Sequence, residues 1–197
     1  MNPFIHETAI IEDGVLIGEN TKIWHFSHVR RGARISEDCS VGRDCYVDSK
    51  VIIGKGSRVQ NGVSIYNGVS LAESTFVGPH VVFTNDMFPR AGSKKWDVSE
   101  TYLETGCSLG AGAIIRCGIR IGSFSMVGAG ALVTKSIPPF TLATGFPAKP
   151  IRRICACGRT QSDLLDRKWI PVNNCCHEYL TDHVLELAKA AGERLIS

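Results

Sequence analysis

The sequence predicts a mainly β protein, a parallel β-solenoid of three-sided coils with one projecting loop and a C-terminal helix. Three observations predict it. First, Ile5, Ile11, Ile17, Ile23, Val29, Ile35, Val41, Val47, Ile53, Val59, Ile65, Leu71, Val77 and Phe83 fall at every sixth residue, and the beat returns at Leu103, Leu109, Ile115, Ile121, Val127 and Val133. Second, the fifth place of each hexad is small or β-branched, as at Ala9, Thr21, Ala33, Cys45, Ser57 and Thr75. Third, glycine recurs at the second or fourth place, as at Gly14, Gly18, Gly42 and Gly62. A period of six suits neither a helix nor an alternating strand. It suits a short extended segment with its apolar residue inward, followed by a corner that glycine relaxes. Three segments close a coil of eighteen residues, and stacked coils pair through backbone hydrogen bonds about 4.8 Å apart.

Taken in order, residues 1–4 lead in and residues 5–83 supply fourteen hexads. The stretch from Asp86 to Glu100 breaks the rhythm and reads as an insertion projecting from one corner. Met87, Phe88, Pro89, Arg90 and Trp96 make it too apolar for a loose tail, so it is expected to cover a groove or reach a neighbouring subunit. Residues 103–138 add six hexads, and Pro138-Pro139 is expected to end the ladder. The β-solenoid domain is therefore placed at 1–153 and a cysteine-bearing extension at 154–197. Within the extension, Leu180, Val184, Leu187, Ala188, Ala191 and Leu195 form the apolar stripe of a helix over 180–195, expected to cap the solenoid end.

Composition narrows the class. A net charge of +3 without a Lys/Arg-rich run argues against nucleic acid. No apolar run reaches membrane-spanning length and the N-terminus lacks a signal-peptide pattern, so a cytoplasmic protein is expected. Cys39, Cys45 and Cys107 occupy the small inward place, where cysteine acts as a small hydrophobe. Cys155, Cys157, Cys175 and Cys176 cluster in the extension, but Cys-x-Cys and adjacent cysteines depart from the usual zinc spacing. Free buried thiols are the expectation, a degenerate zinc knuckle the alternative, and no metal is expected in catalysis.

Residues eighteen apart should stack. His28, Tyr46, Ser64 and Val82 form one column; Arg30, Asp48, Tyr66 and Thr84 a second; Arg31, Ser49, Asn67 and Asn85 a third. A fourth, on another face, holds His25, Arg43, Asn61 and Pro79. The candidate substrate site is thus His28, Arg30, Arg31, Asp48, Tyr66, Asn67 and Asn85 beneath the insertion, with Arg90 from the insertion itself. Arginine suits phosphate oxygens and tyrosine offers a ring face, so a nucleotide-diphosphate sugar is the expected ligand. A flat-sided solenoid cannot enclose such a ligand alone, which points to a closed oligomer.

The hexads, with the exit segment Gly145-Phe146-Pro147-Ala148-Lys149-Pro150-Ile151-Arg152, resemble the hexapeptide-repeat acyltransferases over about residues 5–153. The resemblance implies a left-handed parallel β-helix, although general rules favour right-handed crossovers. It also implies a homotrimer, and acetyl-CoA as donor with its pantetheine arm along the groove between coils. Gly110, Ala111, Ala129 and Ala131 lack side chains that would block that arm, and Lys135, Lys149 and Arg152 are the candidates for the cofactor phosphates.

Many sugar O-acetyltransferases of this fold place a catalytic histidine in a Thr-His-Pro-like motif near the insertion, because a hydroxyl needs a base. Here the stretch reads Thr84-Asn85-Asp86, with Asn85 in the histidine's place; His80 is the reserve candidate. An amine attacks without such help, so Asn85 is read as the catalytic residue of an N-acetyltransferase, orienting the amine or stabilising the intermediate. The motifs Ile23-Trp24-His25-Phe26, Val59-Gln60-Asn61, Val63-Ser64-Ile65-Tyr66 and Phe83-Thr84-Asn85 resemble one subgroup. Its members acetylate the 3-amino group of UDP-2-acetamido-3-amino-2,3-dideoxy-glucuronate in O-antigen (lipopolysaccharide) biosynthesis. The alternatives are an O-acetyltransferase acting on a sugar or serine hydroxyl, and a non-catalytic scaffold. A carbonic anhydrase of this fold would need three histidines on zinc, which the spacing of His25, His28 and His80 does not supply.

Overall fold

The computed structural model describes residues 1–166 and 168–196. Its organising rule is the hexad. Each hexad contributes a strand of two or three residues ending on the leading apolar residue, and three successive hexads go to three different sheets. The first face carries Phe4–Ile5, Lys22–Ile23, Ser40–Val41 and their successors up to Thr141–Gly145. The second face runs from Ile10–Ile11 to Leu132–Val133, and the third from Leu16–Ile17 to Arg120–Ile121. The pairings between coils are parallel and, apart from those across the insertion and into the last coil, keep the eighteen-residue register, as in His28 with Tyr46 and Tyr46 with Ser64. The result is the left-handed β-helix, with the leading residues from Ile23 onward and the fifth-place side chains packed inside. The first coil is open, and Ile5 is 41% exposed.

The two glycine places do different work. Fourth-place residues turn the corner with positive φ whether or not they are glycine, as at Asn20 (57°), Asp44 (54°) and Gly62 (68°). Second-place glycines permit close stacking: a Cβ on Gly110 would lie 2.4 Å from the backbone nitrogen of Ala129 in the next coil.

Leu71 pairs with Leu103, 32 positions away where 18 is the rule, so the insertion adds 14 residues. Its base is tied down. Asp86 bridges to Val98, and the Ser99 N–H donates to the Asn85 carbonyl at 2.9 Å. Its tip stands out from the chain, with Phe88 83% and Trp96 59% exposed.

Two expectations about the C-terminal part need correcting. The ladder does not stop at Pro138-Pro139. Ile137 still bridges to Ile121 on the third face, and Thr141–Gly145 adds a parallel strand to the first, pairing Ala143 with Val127. The coil loses two residues between Val133 and Ile137, ahead of the prolines, and the hexad that holds Pro138-Pro139 keeps its full length. What ends the ladder is the antiparallel return of Ala148–Ile154 along Thr141–Gly145. The extension then forms a short helix α1 (Asn174–Tyr179), which the sequence reading did not anticipate, and α2 (Asp182–Ile196). These do not sit on the solenoid end. They lie along its flank at the third–first corner, where Ala188 and Ala191 pack with Phe124 and Phe140, and His183 Nε2 lies 3.4 Å from Glu73. Stacked fourth-place rings at that corner give the helix an apolar surface that the end of the coil lacks. Leu185, outside the expected stripe, is buried against Cys155 and Cys176, while Leu195 is 43% exposed.

Candidate active site

The side chains expected to bind substrate follow second-face strands and meet at the second–third corner. Their centre is Asp48. Its Oδ1 accepts from the Ser49 N–H at 2.7 Å, from the Tyr46 hydroxyl at 3.3 Å and from Arg30 at 3.4 Å; its Oδ2 accepts from the Asn67 N–H at 3.2 Å. Asp48 is therefore spent on joining three coils. Arg30 is similarly engaged: it donates to Glu12 at 3.2 Å and to the Tyr46 hydroxyl at 3.2 Å. Arg31 contributes its backbone N–H to Glu12 at 3.0 Å and leaves its exposed side chain facing solvent. His28 Nε2 lies 2.9 Å from the Glu12 Oε1 that also accepts from Arg30, and the ring stands edge-on to Tyr46. Tyr46 and Tyr66 tilt against each other with ring centroids 5.9 Å apart.

Glu12 and Tyr46 are the residues that sequence reasoning left out of the site. Both were legible in the columns: Glu12 stands eighteen before Arg30, and Tyr46 eighteen after His28. The Arg31 backbone N–H, helped by His28 and Arg30, holds the Glu12 carboxyl below its ordinary range against a smaller opposing effect of burial.

Asn85 closes the top of this corner. Its side-chain NH₂ donates to the Asn67 backbone carbonyl at 3.3 Å, one coil below, and its own backbone carbonyl is held by the insertion through the Ser99 N–H. Thr84 accepts from the Cys117 N–H at 2.9 Å. Arg90 lies on the exposed part of the insertion and, among the described residues, its side chain donates only to the adjacent Pro89 carbonyl, at 2.8 Å. His80 occupies the turn before strand Val82–Phe83, whereas Asn85 follows that strand. The two are at opposite edges of the second face.

The residues expected to hold the cofactor divide. Ala111 and Ala129 are exposed in successive coils of the first–second corner, and the Gly145–Ala148 hairpin carrying Lys149 stacks beside them. Arg152 lies on the first-face hairpin, 3.5 Å from Asp163. Two assignments are corrected. Ala131 occupies the inward fifth place, is 1% exposed and packs in the core, so its side chain lines no groove. Gly110 is small because the next coil's backbone leaves no room for a Cβ, not to admit a ligand. Lys135 is exposed but belongs to the second–third corner, two coils above Asn85 in register. A 280 Å³ groove at the first–second corner is lined by Trp24, His25, Arg43 and Asn61 among others.

Among the described residues, the one cluster able to chelate a metal ion is the four thiols of the extension, not a histidine group. No helix among them is long and apolar enough to cross a membrane.

Comparison with known proteins gives three kinds of likeness. The family model described as "Hexapeptide repeat of succinyl-transferase" matches residues 32–67 and 101–135, on either side of the insertion. The dTDP-3-amino-3,6-dideoxy-alpha-D-galactopyranose 3-N-acetyltransferase of Aneurinibacillus thermoaerophilus is 45% identical over 154 residues, covering 78% of this chain and 80% of that protein. A galactoside O-acetyltransferase of Lactococcus lactis is 38% identical over 89 residues, covering 40% of this chain and 43% of its own. Among solved structures, a UDP-N-acetylglucosamine acyltransferase from Campylobacter jejuni aligns over 94% of this chain and 82% of its own, at 19% identity and a TM-score of 0.49.

Proposed function

The chain belongs to the hexapeptide-repeat acyltransferases of the left-handed β-helix type, and from that membership we propose that it transfers acetyl from acetyl-CoA to the 3-amino group of a nucleotide-linked sugar. The observation that carries this reading is the residue at the mouth of the polar corner. Asn85, which cannot accept a proton, stands there, and the nearest histidine in sequence, His80, turns at the opposite edge of the face. A hydroxyl acceptor would need a base at that place. A neutral amine does not. Its lone pair attacks the thioester carbonyl, the resulting oxyanion collapses to the amide, the C–S bond breaks, and the coenzyme leaves as thiolate while the amine sheds its proton. Asn85 would accept from an amine N–H to aim the lone pair, with its own NH₂ anchored on Asn67.

The 45%-identical relative is named for an amine at C3 of a dTDP-linked dideoxygalactose. The resemblance in Trp24-His25-Phe26 and Thr84-Asn85 favours an amine at C3 of a UDP-linked 2-acetamido glucuronate, made for surface polysaccharide. The two acceptors differ at C2, C4 and C6, where the second has a carboxylate. The exposed guanidinium of Arg31 is the group at this corner suited to a diphosphate or to that carboxylate. Purified protein should release coenzyme thiol with acetyl-CoA and one of these 3-amino sugars. Equal turnover of the 3-hydroxy counterpart would replace this reading with an O-acetyltransferase.

A homotrimer with sites at subunit junctions completes the proposal. The acceptor corner and the cofactor corner lie on opposite edges of the second face, separated by up to about 20 Å, the length of six extended residues. A neighbouring copy can bring its cofactor corner to the acceptor corner of this one. The exposed Phe88 and Trp96 at that corner offer apolar surface for the contact.

A further inference from the structure

The extension carries a feature that the acyl transfer does not use. Four of the chain's eight cysteines, Cys155, Cys157, Cys175 and Cys176, place their sulfurs within 4.8 Å of one another. The other four, Cys39, Cys45, Cys107 and Cys117, are buried singly along the solenoid. The spacing in the extension is informative. Cys155 to Cys157 is 3.5 Å, Cys157 to Cys175 is 3.6 Å and Cys155 to Cys175 is 3.7 Å. A disulfide would bring one pair to about 2.0 Å and leave the others out. Four sulfurs about 2.3 Å from one ion stand about 3.8 Å apart along the edges of a tetrahedron. The three separations among Cys155, Cys157 and Cys175 match those edges, and the Cys176 sulfur lies within 4.8 Å of each.

The backbone is arranged for thiolates. Cys155 directly follows the strand Ala148–Ile154, and the turn at Gly158 (φ 76°) brings Cys157 back beside it. The Thr160 N–H donates to the Cys155 sulfur at 3.3 Å, and the Thr160 hydroxyl lies 3.2 Å from that of Cys175. Cys175 and Cys176 open α1, where the helix start turns both sulfurs to the same point. Adjacent cysteines, the feature that argued against zinc in the linear sequence, thus converge once this turn is formed. The cluster is shielded by Leu185 and Val172, and Cys155 and Cys176 are fully buried.

We propose that Cys155, Cys157, Cys175 and Cys176 bind one zinc ion in a tetrahedral, all-sulfur structural site. Zinc fits because four thiolates in a closed tetrahedral set suit that ion and leave no open position for catalysis. The site also meets a need. The extension is a segment of about 40 residues with a small core of its own, a size at which folding leans on a staple. The ion ties the strand end to α1 and so holds α2 on the solenoid flank. That flank is the third–first corner, opposite the face bearing Asn85, so the ion has no part in the acyl transfer. Binding exchanges the thiol protons for the metal, and no oxidant or reductant is required.

Full-length protein purified without chelator should contain about one zinc per chain by elemental analysis. Zinc released by an organomercurial should be replaceable by Co(II), giving the intense visible bands of a tetrahedral ion and ultraviolet thiolate-to-cobalt charge transfer. The metal-free chain should be cut by protease between Cys155 and α2 while the β-helix, whose core lies outside the extension, stays intact. Cys155→Ser with Cys176→Ser should lose the metal, and Cys39→Ser should keep it. A metal-free protein that does not take up cobalt overturns the proposal, as does metal retained in the double variant. So do bound iron or a disulfide in the freshly isolated chain. The cobalt and proteolysis measurements use the wild-type chain and do not depend on a variant folding.

Discussion

At the scale of single residues, the candidate active site separates groups that hold the corner together from groups left for a ligand. Asp48 is of the first kind. Asp48→Ala would strand the N–H groups of Ser49 and Asn67 and a charge on Arg30, at a cost of about 1–3 kcal/mol in denaturant unfolding. Glu12 is another. Its folded pKa is depressed, so its contribution to stability is present above the ordinary carboxylate range and is lost as pH falls through the folded value. The wild-type advantage in stability over Glu12→Gln should therefore be seen at neutral pH and vanish in acid. Asn85 is of the second kind. Asn85→Ala should lower turnover about 10- to 1,000-fold with little change in KM, whereas His80→Ala should leave the pH profile in place. The reverse pattern in single-turnover kinetics would return the chemistry to a histidine base.

At the scale of elements, the corner and the groove between coils impose different demands on the same residue type. Gly110→Ala drives a methyl into the Ala129 backbone, while Gly112→Ala meets open space and bears only the positive φ of 65°. The second should cost about 1 kcal/mol, as a left-handed alanine does, and the first clearly more; thermal unfolding of the two variants measures the difference. The insertion is the other telling element. Its rooted base and protruding Phe88 and Trp96 suit a contact with another chain. Phe88→Ser with Trp96→Ser should shift the assembly toward smaller species in light scattering and reduce turnover with it.

At the scale of the whole molecule, a triangular prism has three corners, and the chain uses each differently. The second–third corner gathers the acceptor candidates, the first–second corner the exposed alanines and Lys149, and the third–first corner the extension. Lys149→Ala with Arg152→Ala should weaken acetyl-CoA binding about 30-fold, about 1 kcal/mol for each lost phosphate contact, and leave sugar binding unchanged. Calorimetry with each ligand alone separates the two. A monomer in light scattering at working concentration would remove the shared site at the subunit junctions.

The sequence by itself determined the solenoid. A six-residue beat is a local pattern that runs unbroken from Ile5 to Phe83 and again from Leu103 to Val133, and from Ile23 onward the hexads bury the same two places. The register followed as well, since an eighteen-residue coil leaves each column a single partner above and below, and Asn85 over Asn67 could be placed from numbers alone. Ala131 was legible by the same rule, as an inward fifth-place residue whose small side chain serves the core and not a groove. Only the tertiary structure decided what depends on contacts between segments without a shared period. Arg30 and Asp48 neutralise each other across coils, the last coil loses two residues between Val133 and Ile137 and is still paired through Pro138-Pro139, and α2 lies on a flank because the Phe124 and Phe140 rings stack there. The four thiols are the extreme case. Their separation in sequence says little, because a turn at Gly158 and the first turn of α1 must both form before the sulfurs meet.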